Sequence, residues 1–179
     1  MDAKKIIPIV IGVITKPGIS GDLVMTQKRL VSNPEYDPLY HDTWETVGET
    51  LEAGEDYLSA LVRGIKEECG QEVSREALMA QYRQLTLNSC RGDCVHGFEP
   101  VCLVQSVGEP QLWAGPAFEV RVDRDFEPDY SQGDGEAGDH RWWRPQELIS
   151  AMEVNFEHFA LFHIPALRNV CNRIFAREE

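Results

Sequence analysis

The segment 57–69 constrains the fold of this chain more than any other stretch, because it carries both end signals of a helix and one apolar face. Asp56 stands where a helix N-cap belongs, and Gly70 follows the last turn, where glycine commonly ends a helix. Apolar residues recur at helical spacing along the segment: Leu58, Leu61, Val62, Ile65 and Cys69. This stripe predicts a helix that packs with that face against the protein core.

Most of the other predicted elements are strands. The apolar run in MDAKKIIPIVIGVIT, residues 1–15, predicts a buried strand, and Leu23–Arg29 predicts a second one. Four further strands are expected at residues 82–87, 101–105, 118–122 and 140–143. The loop between residues 48 and 55 contains two glycines and many carboxylates and is read as irregular.

Two more helices are expected near the end of the chain. One is the short segment Pro145–Met152, and the other follows Pro165, where apolar residues again recur at helical spacing. The predicted order has one helix in the centre of the chain and helices near its end, among about six strands. This order predicts an α/β fold, in which helices cover both faces of a mixed sheet. A length of 179 residues suits one core, so we expect residues 1–179 to form a single domain.

The net charge of −13 restricts the partners of the protein. Phosphates of nucleic-acid polymers and anionic membranes repel such an acidic chain, so neither is expected as a partner. A phosphorylated small molecule would require a divalent cation to offset the negative charge on both sides. The first apolar run lacks a signal-peptide cleavage site, and the five cysteines form no disulfide framework, so a cytoplasmic protein with reduced thiols is expected.

The other side of the predicted helix carries Arg63, Gly64, Glu67 and Glu68. Two glutamates one turn after an arginine are most often a solvated face, with an ion pair worth roughly a few tenths of a kcal/mol. Gly64 does not fit that description, because a glycine inside a helix costs about 1 kcal/mol relative to alanine. Its presence is easier to explain if another group has to fit beside it.

These residues belong to a longer pattern. The stretch 48–71 resembles the Nudix box, the family signature G-x5-E-x7-R-E-U-x-E-E-x-G-U, in which U is a bulky aliphatic residue. The flanks fit as well, since Trp44 precedes the loop and DHRWWRPQEL, residues 139–148, is similar to a late segment of the family. The positions that match the signature are Glu55, Arg63, Ile65, Glu67, Glu68 and Gly70.

The resemblance implies a Nudix fold, an α/β/α sandwich, and hydrolysis of a nucleoside diphosphate linked to another group. It further implies that Glu67 and Glu68 bind Mg²⁺, with Mn²⁺ as an alternative, and that Glu55 and Arg63 form an ion pair that locks the loop to the helix. The chemistry is consistent with this assignment. Pyrophosphate cleavage needs a hard divalent ion to offset charge and activate water, and carboxylates supply hard oxygen ligands.

The chain departs from the signature at two informative positions. Gly64 replaces the glutamate that directly follows the arginine, a residue that serves as a metal ligand or general base in many family members. Glu49 replaces the loop glycine six residues before Glu55. The chain has therefore lost a carboxylate at one position of the box and gained one at another. Gln71 at the final aliphatic position is a lesser difference.

Three explanations of these departures are open. The chain has lost hydrolysis and Glu49 is a solvated loop charge; or Glu49 reaches into the space that Gly64 leaves and completes the metal site; or the base has moved elsewhere. We favour the second explanation, because it accounts for the glycine. For the third, the acidic segment 125–139 offers Glu136 and Asp139, although a glycine-rich acidic loop is commonly just solvated.

Three residues outside the box are candidates for substrate binding. Lys28 and Arg29, at the end of the second strand, could contact phosphates, and Trp142 could stack on a base. The sequence thus predicts a Mg²⁺-dependent hydrolase of a nucleotide or other diphosphate small molecule, with catalytic Glu49, Glu55, Arg63, Glu67 and Glu68. The alternative is a non-catalytic nucleotide- or metabolite-binding module on the same fold. An edge strand or the last helix could also pair two copies into a homodimer.

Overall fold

The protein folds around one seven-stranded mixed sheet with helices on both faces. The computed structural model describes residues 5–31, 42–79, 102–105 and 111–178. The strands are β1 (Lys5–Gly18), β2 (Gly21–Arg29), β3 (Trp44–Glu45), β4 (Val47–Thr50), β5 (Cys102–Gln105), β6 (Gln111–Arg121) and β7 (Ala137–Trp143). The α-helices are α1 (Tyr57–Cys69), α2 (Pro145–Val154) and α3 (Ile164–Glu178). Short 3₁₀ turns occupy Tyr130–Gln132 and Phe156–His158, and residues 75–79 are also helical.

The long strand β1 organises the sheet. One of its edges pairs with β6 in parallel, from Lys5 opposite Gln111 to Thr15 opposite Arg121. Its other edge pairs antiparallel first with β4 over residues 9–12 and then with β2 over residues 15–18. Strand β2 continues to β7 and β3, and β5 lies beyond β6. Strands β4 and β2 pair with the same edge of β1, but with successive parts of its length. The sheet therefore splits between β4 and β2.

Alternating side chains of β1 build two cores, one on each face of the sheet. Ile9, Ile11 and Val13 belong to a cluster that includes the apolar sides of α2 and α3. Val10 and Ile14 belong to a second cluster, which α1 covers. This period of two is what a strand buried on both faces requires. The predicted α/β/α sandwich is therefore confirmed.

Helix α1 has the ends that the sequence predicts. The side chain of Asp56 accepts a hydrogen bond from the amide of Ser59, and Gly70 adopts the left-handed conformation with φ 63°. The helix lies very close to β1, because a Cβ on Gly12 would come within 2.4 Å of the Leu61 side chain. A side chain at position 12 would therefore force Leu61 to move.

Several predicted boundaries differ from the structure. Strand β6 begins at Gln111 rather than at residue 118, since it pairs with β1 along most of its length. The sequence predicts an irregular loop from residue 48 to residue 55, whereas residues 47–50 form β4, because β1 offers a free edge to them. The predicted strand at 82–87 lies outside the described residues, and the single-domain assignment of residues 1–179 stays a prediction. No described helix is both long and apolar enough to cross a membrane.

Candidate active site

Arg63 is the centre of the candidate site and contacts three glutamates. Its Nη2 lies 3.0 Å from Glu55 Oε2, and its Nε donates to Glu55 Oε1 at 3.2 Å. Its Nη1 lies 3.1 Å from Glu49 Oε2 and 3.1 Å from Glu67 Oε2. Nη2 also donates to the carbonyl of Thr50 at 2.8 Å. The guanidinium therefore fastens the loop 50–55 to α1, and it draws two further carboxylates toward one nitrogen.

The contacts of Arg63 change the proton affinity of its partners. The hydrogen bond from Arg63 lowers the pKa of Glu55, and the same bond raises the pKa of Arg63. Glu49 behaves differently, because its burial raises its pKa despite the nearby guanidinium. Glu55 is thus held as the anion of a fixed ion pair, while Glu49 has a carboxylate that is poorly solvated.

Gly64 lies directly beneath the Glu49 side chain. A Cβ placed on Gly64 would lie 3.0 Å from Cβ of Glu49, and 3.3 Å from its Cγ and its Oε2. These distances are shorter than ordinary van der Waals contact, so a side chain at position 64 would force Glu49 to shift. The two departures from the family signature, Gly64 and Glu49, are therefore in contact with each other.

Glu68 is buried, whereas the helical pattern placed it on a solvated face. Its Oε1 accepts a hydrogen bond from the amide of Gly48 at 3.2 Å, and its Oε2 accepts one from the amide group of Gln27. Burial raises its pKa well above the usual range, and the neighbouring charges of Glu45 and Glu49 add to the effect. The helical pattern does not predict this burial, because Glu68 faces the split between β4 and β2 and contacts a residue of each strand.

Two buried polar residues next to Glu68 were missed by the sequence analysis. Gln27 is fully buried on β2; its oxygen accepts from the Cys69 thiol at 3.6 Å, while its nitrogen donates to Glu68. Glu45 is 3% exposed and accepts from Arg29 at 3.3 Å. For Gln27 a signal exists, because it stands at an inward position of a strand whose inward neighbour Met25 is apolar. Nothing in the short β3 marks Glu45.

The predicted substrate-binding residues have partners within the protein. Lys28 Nζ lies 2.6 Å from Asp42 Oδ1, and Arg29 pairs with Glu45. Trp142 donates through Nε1 to Glu127 at 3.1 Å, and Lys16 Nζ lies 3.9 Å from its ring centre. Contact of Lys28, Arg29 or Trp142 with a substrate stays a prediction.

The two candidates for a relocated base lie apart from the contacts of Arg63. Glu136 faces Arg29, with 3.9 Å between its Oε2 and Nη2. Asp139 lies opposite Lys28 in the β2–β7 pairing, and its Oδ1 accepts from the amide of His140. The structure brings together Glu49, Glu55, Arg63 and Glu67 and places Glu68 behind them, while Glu136 and Asp139 have other neighbours.

The carboxylates around Arg63 are side chains of the type that binds divalent cations. In the described part of the chain, no group of three His, Cys, Asp or Glu residues is arranged to hold a metal by itself. Glu49 and Glu67, however, already place one hard oxygen each at 3.1 Å from the same cationic nitrogen. Mg²⁺ commonly binds through only one or two carboxylates, and waters and substrate phosphates complete its shell. Glu49 and Glu67 could hold such an ion, with Glu68 as a neighbouring ligand.

Comparison with known proteins identifies the family. The family model of the NUDIX domain matches residues 7–163, which is most of the chain. The chain belongs to the Nudix family. Its box is degenerate at positions 49 and 64, and no curated protein matched this Nudix sequence.

Solved structures share the fold of this Nudix protein at low sequence identity. The Nudix domain of Shewanella oneidensis NrtR, solved with ADP ribose, is 11% identical with a TM-score of 0.62, over 97% of this chain and 90% of that one. An Ap4A hydrolase of C. elegans is 12% identical with a TM-score of 0.60, over 97% and 99%. The ORF135 protein of E. coli is 20% identical with a TM-score of 0.60, over 97% and 94%. The mixed sheet with flanking helices is thus the fold of Nudix hydrolases.

Proposed function

We propose that this Nudix protein is a Mg²⁺-dependent hydrolase of a phosphoanhydride in a nucleoside-diphosphate-type molecule, and that Mn²⁺ can replace Mg²⁺. The observation that carries the proposal is the convergence of Glu49 and Glu67 on Nη1 of Arg63, with the Glu49 side chain lying against Gly64. The bound ion would offset charge on the phosphate oxygens and activate the attacking water. Water would add to one phosphorus, and the bridging oxygen would leave with the other phosphate.

In this proposal Glu49 takes over the task of the glutamate that Gly64 replaces. The close contact of Glu49 with Gly64 supports this explanation over a solvated loop charge, because Glu49 is largely buried over the glycine. Glu67 and Glu68 are the other metal ligands, and the Glu55–Arg63 pair fixes the loop that carries Glu49. A base relocated to Glu136 or Asp139 has less support, because their contacts lie with Arg29 and the β2–β7 pairing.

The acidic charge of −13 supports a small-molecule substrate and a metal to bridge it, rather than a nucleic-acid polymer or a membrane. The titles of two structural neighbours name ADP ribose and Ap4A, which makes compounds of this kind the first to test. A cytoplasmic location and a homodimer are part of the same proposal.

A non-catalytic nucleotide-binding module is the second candidate, and one observation favours it. Arg63 already neutralises Glu49 and Glu67, so the carboxylates have a positive partner without any metal. In that case a diphosphate would bind without being cleaved. The two candidates differ in turnover and in their need for a divalent ion.

Metal-dependent turnover tests the proposal directly. The full chain would be assayed with Mg²⁺ or Mn²⁺ against ADP ribose, Ap4A and nucleoside diphosphate sugars, with chromatography of the products. We expect cleavage that EDTA abolishes, and a loss of at least a hundredfold in kcat in Glu49→Gln and Glu68→Gln. The exposed Glu153→Gln is the matched control and should retain the wild-type rate. Ligand binding without cleavage would establish the binding module, and normal turnover in Glu49→Gln would remove Glu49 from the site.

A further inference from the structure

The acidic segment 123–136 has a structural task at the end of α1. The last carbonyls of a helix have no partner within the helix and need donors from elsewhere. Here the amide of Asp129 donates to the carbonyl of Cys69 at 2.8 Å, and the amide of Asp134 donates to the carbonyl of Glu67 at 2.7 Å. The segment therefore binds the turn of α1 that carries Glu67 and Glu68.

Close packing fixes the distance between the segment and the helix. A Cβ on Gly133 would lie 2.7 Å from the carbonyl oxygen of Glu67, and one on Gly70 would lie 2.0 Å from the carbonyl oxygen of Asp129. Backbone thus meets backbone on both sides of the contact. A displacement of the segment would remove two hydrogen bonds from the helix end and leave the last turn free to fray.

Glu127 fastens this segment to the sheet. One of its carboxylate oxygens pairs with Nζ of Lys16 on β1, an ammonium group whose side chain is 7% exposed. The other oxygen lies 2.9 Å from Nε2 of His140 and accepts from Nε1 of Trp142 at 3.1 Å, both on β7. Burial alone would raise the pKa of Glu127, but the hydrogen bonds from Lys16, Trp142 and His140 lower it. The carboxylate is therefore anionic and bound at three points.

We propose that Glu127 is a positioning residue for the box glutamates Glu67 and Glu68, and that it acts through the segment 123–136, which caps the last turn of α1. The inference rests on the proposed metal-dependent function. It assigns the acidic segment a role in holding the metal ligands in place through its backbone, with no part in proton transfer. Glu127 itself contacts neither glutamate and reaches them through Asp129, Gly133 and Asp134.

Hydrogen exchange and metal binding on the full chain test this inference together. In Glu127→Ala the amides of Asp129 and Asp134 should exchange at least about tenfold faster, because their segment has lost its carboxylate contacts with Lys16, His140 and Trp142. Amides in the centre of β1 should keep their wild-type protection. The dissociation constant for Mg²⁺ or Mn²⁺, measured by calorimetry without substrate, should rise by about tenfold, as for other residues that orient metal ligands. Glu127→Gln keeps one acceptor oxygen in place of two and should recover part of both effects.

The control and the second variant make the outcomes separable. The exposed Glu153→Ala should change neither measurement. If Glu127→Ala does not fold, Gly133→Ala displaces the segment from its other side and should weaken metal binding in the same way. If the wild type binds the ion, Glu127→Ala could still show unchanged exchange at Asp129 and Asp134 or an unchanged metal affinity. Either result would overturn this inference and leave the proposed function intact. A wild-type protein that binds neither ion would overturn the proposed function as well, while the exchange data would still show whether Glu127 holds the segment.

Discussion

At the scale of single residues, Gly64 and Glu49 form one unit. Each is a departure from the Nudix signature, and the structure places them in contact, with the Glu49 side chain over the space that a Cβ of residue 64 would fill. The glycine lowers the helix propensity of α1 by about 1 kcal/mol relative to alanine. Because Gly64 has no side chain, the partly buried carboxylate of Glu49 packs against the helix and reaches Arg63.

A double-mutant cycle should reveal this coupling. In a Glu49→Gly background, Gly64→Ala should stabilise the protein by about 1 kcal/mol, because the helix gains propensity and the three atoms nearest to the added methyl group are gone. In the wild-type background the methyl group meets Glu49, so the gain should vanish or reverse. Urea unfolding of the four proteins would give a coupling free energy of about 1 kcal/mol or more. Strict additivity would show that Glu49 and Gly64 are independent.

At the scale of elements, other parts of the chain hold α1 at its middle and at its C-terminal turn. Arg63 joins its middle to the loop 50–55 and to Glu49 on β4. The segment 123–136 binds its C-terminal turn through backbone amides. The carboxylates of the box therefore depend on contacts with three other parts of the chain, which local helix propensity does not determine.

Removal of Arg63 should loosen α1 from the loop. Arg63→Ala leaves Glu49 and Glu55 partly buried without their cation, and we expect a loss of about 3 kcal/mol in the free energy of unfolding. Arg75→Ala is the matched control, because Arg75 also pairs with a carboxylate at 2.9 Å, that of Asp56, but at an exposed position. It should cost less than about 1 kcal/mol. Urea unfolding measures both losses. Equal losses in the two variants would contradict the role of Arg63 in joining α1 to the loop 50–55.

At the scale of the whole molecule, a buried histidine links the α3 side of the protein to the strands next to the site. Nδ1 of His163 accepts from the amide of Thr46 at 3.2 Å, just before β4. Its ring also lies close to Gly48, whose amide binds Glu68. Burial lowers the pKa of His163 from 6.5 to about 3, so the ring is neutral in the folded protein.

The pH dependence of stability follows from this shift. Between about pH 6.5 and about pH 3 the unfolded chain binds a proton at His163 that the folded protein does not, so stability falls as the pH decreases through this window. Between pH 7 and pH 4 the wild type should lose about 3 kcal/mol more than His163→Gln. Urea unfolding at a series of pH values measures the difference, with exposed His158→Gln as the control. Parallel curves for the wild type and His163→Gln would refute it.

The resemblance to the Nudix box implied the ion pair of Glu55 and Arg63. The sequence by itself determined the helix 57–69 with both of its caps and the buried strand β1. These features depend on local propensity, side-chain period and short-range geometry, which are written in consecutive residues. The terminal helix, from Ile164 to Glu178, was predictable for the same reason.

Only the tertiary structure decided which of the box residues are buried and what they touch. A helical wheel gives the direction of the Glu68 side chain but not what the side chain contacts. Glu68 faces the gap between β4 and β2, two strands that pair with the same edge of β1. Gln27, Glu45 and the amides of Asp129 and Asp134 reach α1 from distant parts of the chain. Such contacts arise from strand pairing and packing between elements far apart in sequence, and no local pattern encodes them.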